Sequence, residues 1–259
     1  MIQLKAGIPG SQVNKGNKPH GRSRMRRPGG KERPGLRFKR VFSYPKCAPF
    51  DEVEWECRTA EITDDSGKTI FKQENIEVPA SWSELATKIA VSKYFYGDIA
   101  NGTDPAKGGR ETSVRQLIHR VTRTIADCGL LDGYFADAQT ADLFYDELTW
   151  LCLNQHGAFN SPVWFNVGLY QQYGIGTGAG EGNYFYNRET GKADRAATQY
   201  EYPQGSACFI QSVDDTMEDI MTGCTAKTAA ANQAPRSPSF RSTNPNKTAF
   251  SACNATFTA

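Results

Sequence analysis

A mainly helical region, three packed helices fronted by one short β-hairpin, is the fold class predicted for residues 34–199. Three observations carry it. Apolar residues recur at three- and four-residue steps in three stretches between Trp82 and Asn154. Two runs rich in β-branched and aromatic residues flank Asp64-Asp65-Ser66-Gly67. Both ends of the chain lack the apolar residues a core needs. The hydrophobic fraction of 39 % falls below the ~45–50 % of an average globular domain, as expected when the ends stay out of the core.

The hairpin runs are DEVEWECRTAEI and KTIFKQENIEV. After Pro79, Ser81 or Ser83 can cap a first helix whose inward face is Trp82, Leu85, Ile89 and Tyr94 or Phe95. Gly97 to Gly109 reads as a polar loop. A second helix, RETSVRQLIHRVTRTIADCG, sets Val114, Leu117, Ile118, Val121, Ile125 and Cys128 on one stripe with Gly129 as its stop. Arg110, Arg115, Arg120 and Arg123 then form a solvated face, with His119 a surface or satisfied histidine among them. A third helix from Asp137 or Thr140 to Asn154 has the widest apolar stripe (Leu143, Phe144, Leu148, Trp150, Leu151, Leu153) and should be the most buried. His156 closes it in a structural role, where the helix dipole favours a cation.

The ends differ in charge. The first forty residues hold twelve Lys or Arg against the single acid Glu32, a net +11 that leaves −9 for the rest of a chain of net +2. Residues 1–33 cannot offset their ordering entropy, so a disordered basic arm is expected, or upstream sequence read through before a start at Met25. As a nucleic-acid-binding arm it would act by phosphate neutralisation, although no aromatic residue is interleaved for base stacking. No apolar run approaches the ~18 residues of a membrane span, and no signal-peptide pattern opens the chain. Seven cysteines, an odd number without a CxxC pair or a nearby histidine, argue for reduced thiols and against zinc. A cytoplasmic protein with no metal site and no membrane partner is the expectation.

The chemistry-bearing stretch runs from Asn160 to Asp219. NSPVWFN reads as a helix exit and a rigid turn, in which Pro162 pushes Ser161 out of the helical region and frees its hydroxyl for an anion; a capping turn is the plainer reading. The glycines of GIGTGAGEG lack the Gly-Lys-Ser/Thr of a phosphate loop, so this is a flexible connection. SACFIQSV alternates as a strand, Ala207, Phe209, Gln211 and Val213 on one face and Cys208, Ile210 and Ser212 on the other. On residue type alone Cys208 is a buried core thiol. DDTMED after it looks like a capped helix start at Asp214 or Asp215.

NSPVWFNVGL, a polar loop and YEYPQGSACFIQSVDDTMEDIM, with VPASWSELATKIAVSKYFYG upstream, together resemble the N-terminal region of the adenosylcobalamin-dependent (class II) ribonucleotide reductases over about Arg33 to Met221. The resemblance implies a helical region packing onto a ten-stranded α/β barrel, incomplete here, whose first strand lies in residues 200–221. It implies reduction of ribonucleotides to 2′-deoxyribonucleotides through a thiyl radical. Carried onto this sequence, Cys208 matches a redox cysteine, Ser161 the hydroxyl holding substrate phosphate, Ala207 and Cys208 the strand lining the substrate, and Asp215 the start of a deoxynucleotide effector site. A thioredoxin-like reductant and a homodimer are implied for the complete enzyme.

The 38 residues from Thr222 to Ala259 contain no Asp, Glu, Leu, Ile, Val, Met, Tyr or Trp. They are expected to be a disordered or out-of-frame tail, with the radical cysteine and the second redox cysteine missing from the chain. The alternative is a helical module that binds nucleotide or nucleic acid alone through its basic arm.

Overall fold

The two runs around Asp64 pair as an antiparallel hairpin, β1 (Trp55–Thr63) and β2 (Thr69–Pro79), in a computed structural model that describes residues 35–176, 182–187, 190–203, 205, 215–218 and 221. The turn is organised by Asp64, whose Oδ1 accepts from the Ser66 hydroxyl at 2.6 Å and from the Ser66 and Lys68 N–H groups, both at 2.9 Å. These bonds, the Ser66 hydroxyl foremost, hold its carboxyl below the usual aspartate range.

One face of β2 enters the core, but its alternation is reset. Phe71 and Gln73 point inward, then Ile76 and Val78. The pairing jumps from Arg58↔Ile76 to Ala60↔Gln73, and Asn75 at φ 55° is the left-handed residue that absorbs the extra position.

The first helix, α1 (Glu84–Ile89), is capped by Ser83, which accepts from the Ala86 N–H. It runs into a π-turn at Ala90–Tyr94, closed by the Phe95 N–H on the Ala90 carbonyl at 3.2 Å. This corrects the expected inward face. Leu85 and Ile89 are 68 % and 39 % exposed, while Thr87, Ala90, Val91 and Phe95 are buried. Arg58 of β1 fixes that rotation: one Nη1 meets both the Trp82 carbonyl and the Thr87 hydroxyl, drawing the threonine side of the helix onto the hairpin. The π-turn follows directly after Ile89 and ends at Phe95, where the chain becomes extended.

The Gly97–Gly109 stretch is not a bare polar loop. Asp98 and Asp104 cap single turns at Ile99–Asn101 and Pro105–Lys107, and Asp98 bridges to Gly109. The second helix, α2 (Val114–Leu131), starts at a capping box of Ser113 and Gln116, and the residues before it are extended, bridging Ser113 to Glu77. Gly129 is not its stop. A Cβ there would meet the Phe135 ring at 2.4 Å, so this glycine serves close packing, while Gly133 at φ 71° follows the true end. Cys128 is exposed rather than on the buried stripe.

The third helix, α3 (Ala138–Leu153), is capped by Asp137. It is not the most buried of the three. Of its predicted stripe only Leu153 is fully buried, and α2 lies at the centre, against β2, α3 and the helices that follow. Two short helices come next, α4 (Ser161–Asn166) and α5 (Leu169–Tyr173). The core joins Phe71, Ile76 and Val78 of the hairpin, Val91 and Phe95, Val114, Leu117, Ile118 and Val121, and Leu153 and Trp164. Each such side chain contributes roughly 1.5–3 kcal/mol.

Residues 36–43 lie across α3. The Glu147 carboxylate accepts from the N–H groups of Val41, Phe42 and Ser43 at 2.8–3.0 Å and from the Ser43 hydroxyl at 2.5 Å. Phe42 stacks on Trp150, and Trp150 on His156, so His156 is structural as expected. A second hairpin, β3 (Tyr184–Asn187) with β4 (Lys192–Arg195), occupies the stretch read as a polar connection. No described helix is long and apolar enough to cross a membrane. The arm at 1–33, the glycines at 177–181, the SACFIQSV strand and the tail at 222–259 lie outside the described residues.

Candidate functional site

NSPVWFN is α4 itself, not a helix exit. Asn160 is the N-cap, its Oδ1 accepting from the Val163 N–H at 3.2 Å. Pro162 falls in the first turn, where a missing N–H leaves no bond unmade. Ser161 is therefore the first helical residue, one place after the cap. Its side chain is half-buried, and its Oγ lies 3.1 Å from the Tyr94 hydroxyl. Tyr94, at the end of the π-turn, packs on Phe165 and Trp164 with ring centroids 5.3 and 6.5 Å apart.

The other end of α4 is held by a buried charge pair that the sequence did not announce. Arg120 and Glu111 have fully buried side chains, with Nε on Oε1 at 2.9 Å. This corrects the solvated arginine face. Arg120 donates to the Trp164 carbonyl at 3.1 Å and the Val167 carbonyl at 2.7 Å, the open carbonyls at the end of α4. Glu111 also accepts from the Tyr96 N–H and from the Tyr173 hydroxyl of α5, both at 2.7 Å. Burial, with the carboxylate beside it, pushes the Tyr173 phenol far up, so it stays a donor.

Gly168 lets this happen: at φ 85° a Cβ would stand 2.3 Å from the Arg120 carbonyl. The remaining arginines are engaged too. Arg110 reaches the Val91 and Gly97 carbonyls, Arg115 lies 4.3 Å over the Trp55 ring, and Arg123 ties α2 to Asp142 of α3. His119 bonds the Tyr145 hydroxyl at 2.8 Å, the satisfied alternative. Burial first, then Arg123, lowers its pKa.

The chain then returns to α4. Gln171 of α5 donates to the Glu201 carbonyl at 3.1 Å, Asn183 to those of Gln199 and Tyr202, and Phe185 stacks on Tyr202 at 3.7 Å. This pinned segment delivers Gly205 beside Val163, where a Cβ on the glycine would stand 3.5 Å from the valine Cγ2. Ala207 and Cys208 lie two and three residues on, outside the described residues, and Asp215 is exposed. Tyr94, Glu111 and Arg120 were not foreseen as parts of this site. Tyr94 read as core, and Glu111 lies nine residues before Arg120, a spacing that signals no pair.

Among the described residues no group of three or more His, Cys, Asp or Glu could hold a metal. A depression of about 340 Å³ between β2 and the Gly97–Gly109 loop, lined by Lys72, Gln73, Thr103 and Arg110, is at the small end of ligand sites and does not fit a corrin ring.

Residues 56–155 match the family model described as class II vitamin B12-dependent ribonucleotide reductase. The chain is 56 % identical over 194 residues to the vitamin B12-dependent ribonucleotide reductase of Rhodopirellula baltica, covering 73 % of this chain and 18 % of that protein. It is 38 % identical over 188 residues to the enzyme of that name from Streptomyces coelicolor, and 32 % over 209 residues to that from Agrobacterium fabrum, covering 72 % and 70 % of this chain and 16 % of each relative. The chain thus spans under a fifth of the length of these relatives.

Proposed function

We infer from the match of residues 56–155 and the likeness to the reductase of Rhodopirellula baltica that this chain supplies the N-terminal part of a class II vitamin B12-dependent ribonucleotide reductase, acting on ribonucleotides with adenosylcobalamin as cofactor. In the reaction so implied two thiols become a disulfide, and the two electrons and two protons they release replace the 2′ hydroxyl, which leaves as water. Cys208 is one of those thiols. Ser161 donates to the substrate phosphate, Ala207 and Cys208 line the ribose, and Asp215 opens the effector site. Residues 200–221 supply the first strand of the α/β barrel and the start of the helix after it, and the helical domain is 34–199. A thioredoxin-like protein re-reduces the disulfide, the complete enzyme is a homodimer, and its reduced thiols suit the cytoplasm.

The observation that supports this reading best is Gly205 against Val163. It brings the residue that precedes SACFIQSV beside the helix that carries Ser161, as one shared substrate cleft requires. The comparisons favour the reductase over a stand-alone nucleic-acid-binding module.

The test is a transplant of residues 34–221 into the Rhodopirellula relative. Reduction of ribonucleotides with adenosylcobalamin and a dithiol is the expected result, abolished by Cys208→Ser. Losing a hydrogen bond to a charged phosphate should lower kcat/KM about 10- to 100-fold for Ser161→Ala. A transplant without turnover, or one indifferent to Cys208→Ser, would overturn the assignment. The 259-residue chain by itself should reduce no ribonucleotide, since it spans under a fifth of the length of the reductases it resembles.

A further inference from the structure

We propose that Tyr94 is a positioning residue for the phosphate subsite, its phenol donating to Ser161 Oγ so that the serine proton is turned outward to a phosphate oxygen. This rests on the reading of Ser161 as the phosphate-holding hydroxyl.

Three features of the structure carry it. The two oxygens are 3.1 Å apart, and Tyr94 is the side chain that meets Ser161 Oγ among the described residues. A phenol is a better donor than an aliphatic alcohol, so in the pair the tyrosine gives its proton and the serine keeps one to give. A serine hydroxyl rotates about its Cβ–Oγ bond, and a fixed donor on its lone pair removes that freedom while polarising its own O–H.

The second feature is the π-turn. Tyr94 is the last of the five residues Ala90–Tyr94, and the wider i→i+5 winding of that turn sets it off the position an unbroken α-helix would give it. Two of the turn's neighbours are buried and bonded: Arg110 donates to the Val91 carbonyl at 2.6 Å, and Phe95 closes the turn on Ala90. The departure from α geometry is thus held from both sides, and its result is to set the phenol on Ser161.

The third is that the ring is clamped to the helix it serves. Tyr94 packs on Phe165 and Trp164, both in α4 with Ser161. The far end of α4 is fixed in turn by Arg120 on the Trp164 and Val167 carbonyls. Hydroxyl and helix therefore move as one body, and Tyr94→Phe removes the hydrogen bond while leaving the ring contacts in place.

The test uses the 259-residue chain in phosphate-free buffer, titrated with cytidine diphosphate and, separately, with inorganic phosphate. The backbone amide signals of Ser161 and Val163 are followed by NMR. The unsubstituted chain should show saturable shifts with both ligands, and Ser161→Ala should raise both dissociation constants about 10-fold or more while leaving them measurable at higher ligand concentration. Tyr94→Phe should raise the dissociation constant about 5- to 10-fold with little change in melting temperature. In the Ser161→Ala background it should add nothing, because its effect passes through the serine.

Outcomes separate the two claims. If the unsubstituted chain or Ser161→Ala fails these expectations, the phosphate reading of Ser161 falls. If Ser161 behaves as expected but Tyr94→Phe binds like the unsubstituted chain, the positioning role alone falls. An effect of Tyr94→Phe that persists without the serine hydroxyl overturns positioning in favour of direct contact. A loss accompanied by a large drop in melting temperature makes the tyrosine merely structural and overturns it as well.

Discussion

Arg120 shows how far a single side chain can depart from its type. Four arginines on the second helix read as a wet surface, because an arginine is almost never fully buried unless paired, and its acid partner is nine residues away on the extended lead-in to the helix. The pair is satisfied by four further groups: the carbonyls of Trp164 and Val167 on one side, and the Tyr96 N–H and the Tyr173 hydroxyl on the other. Removing one partner strands the other in a dry site, so Arg120→Ala or Glu111→Ala should cost about 3–5 kcal/mol in urea unfolding. Arg120→Lys keeps the charge but loses the planar fork and should fall between. A cost below about 1 kcal/mol for Arg120→Ala would show the pair to be solvated after all.

Glu147 makes a second residue-scale prediction. Burial alone would raise its pKa, but the Ser43 hydroxyl and then the N–H groups of Phe42, Ser43 and Val41 outweigh that, and its carboxyl sits below the ordinary value of 4.5. A depressed folded value stabilises above the unfolded pKa, and that stabilisation is lost as pH falls through the folded one. The strap over α3 should therefore hold at pH 5 and above and loosen progressively as pH drops below about 4.5, seen as a change in Trp150 fluorescence when Phe42 leaves its face. Glu147→Gln should remove that pH response.

At the scale of elements, what could be read was whatever kept a steady period. The first hairpin, the Ser83 and Asp137 caps, and the existence of α2 and α3 all follow from alternation, capping residues and three- and four-residue spacing. What could not be read were the interruptions. The inward face of α1 was placed on Leu85 and Ile89 because they are its large apolar residues, whereas the face that Arg58 draws onto the hairpin is carried by Thr87, Ala90 and Val91, and the π-turn has no residue signature in AVSKY. The hairpin of β3 and β4 went unseen because its strands are four residues each and mostly exposed. Pro162 was read as marking a boundary, and it does, but the boundary is a helix start and not a helix end.

Asn75 is the testable case among these elements. Its φ of 55° suits asparagine or glycine, and a β-branched side chain there is strained. Asn75→Val should cost roughly 1–2 kcal/mol by left-handed strain alone, while Asn75→Gly should stay within about 0.5 kcal/mol, both read from denaturant midpoints. Equal costs for the two would mean that the position is set by side-chain contacts instead of backbone.

For the molecule as a whole, α2 is the axis. It touches β2, the π-turn, α3, α4 and α5, and through Arg120 it governs the helix that carries Ser161. Cooperative opening of its hydrogen bonds therefore requires the rest of the described fold to open too, and the slowest-exchanging amides should be those of Leu117, Ile118 and Val121. The apolar stripe of the third helix, wider by composition, would have placed them on Leu148 and Leu151. Slowest exchange in α3 would mean that the packing order is reversed.

The bulge at Asn75 and the π-turn at Ala90–Tyr94 are each one residue longer than the regular element would be. An insertion of one residue is also the smallest unit in which a gene can lengthen or shorten a chain. The two places where this fold has already learned to accommodate such a step are therefore where single-residue gaps should collect when many relatives are aligned. Within α2 they should be rare, because a shift of one position there would carry Arg120 away from Glu111 and leave two opposite charges stranded in different parts of the interior.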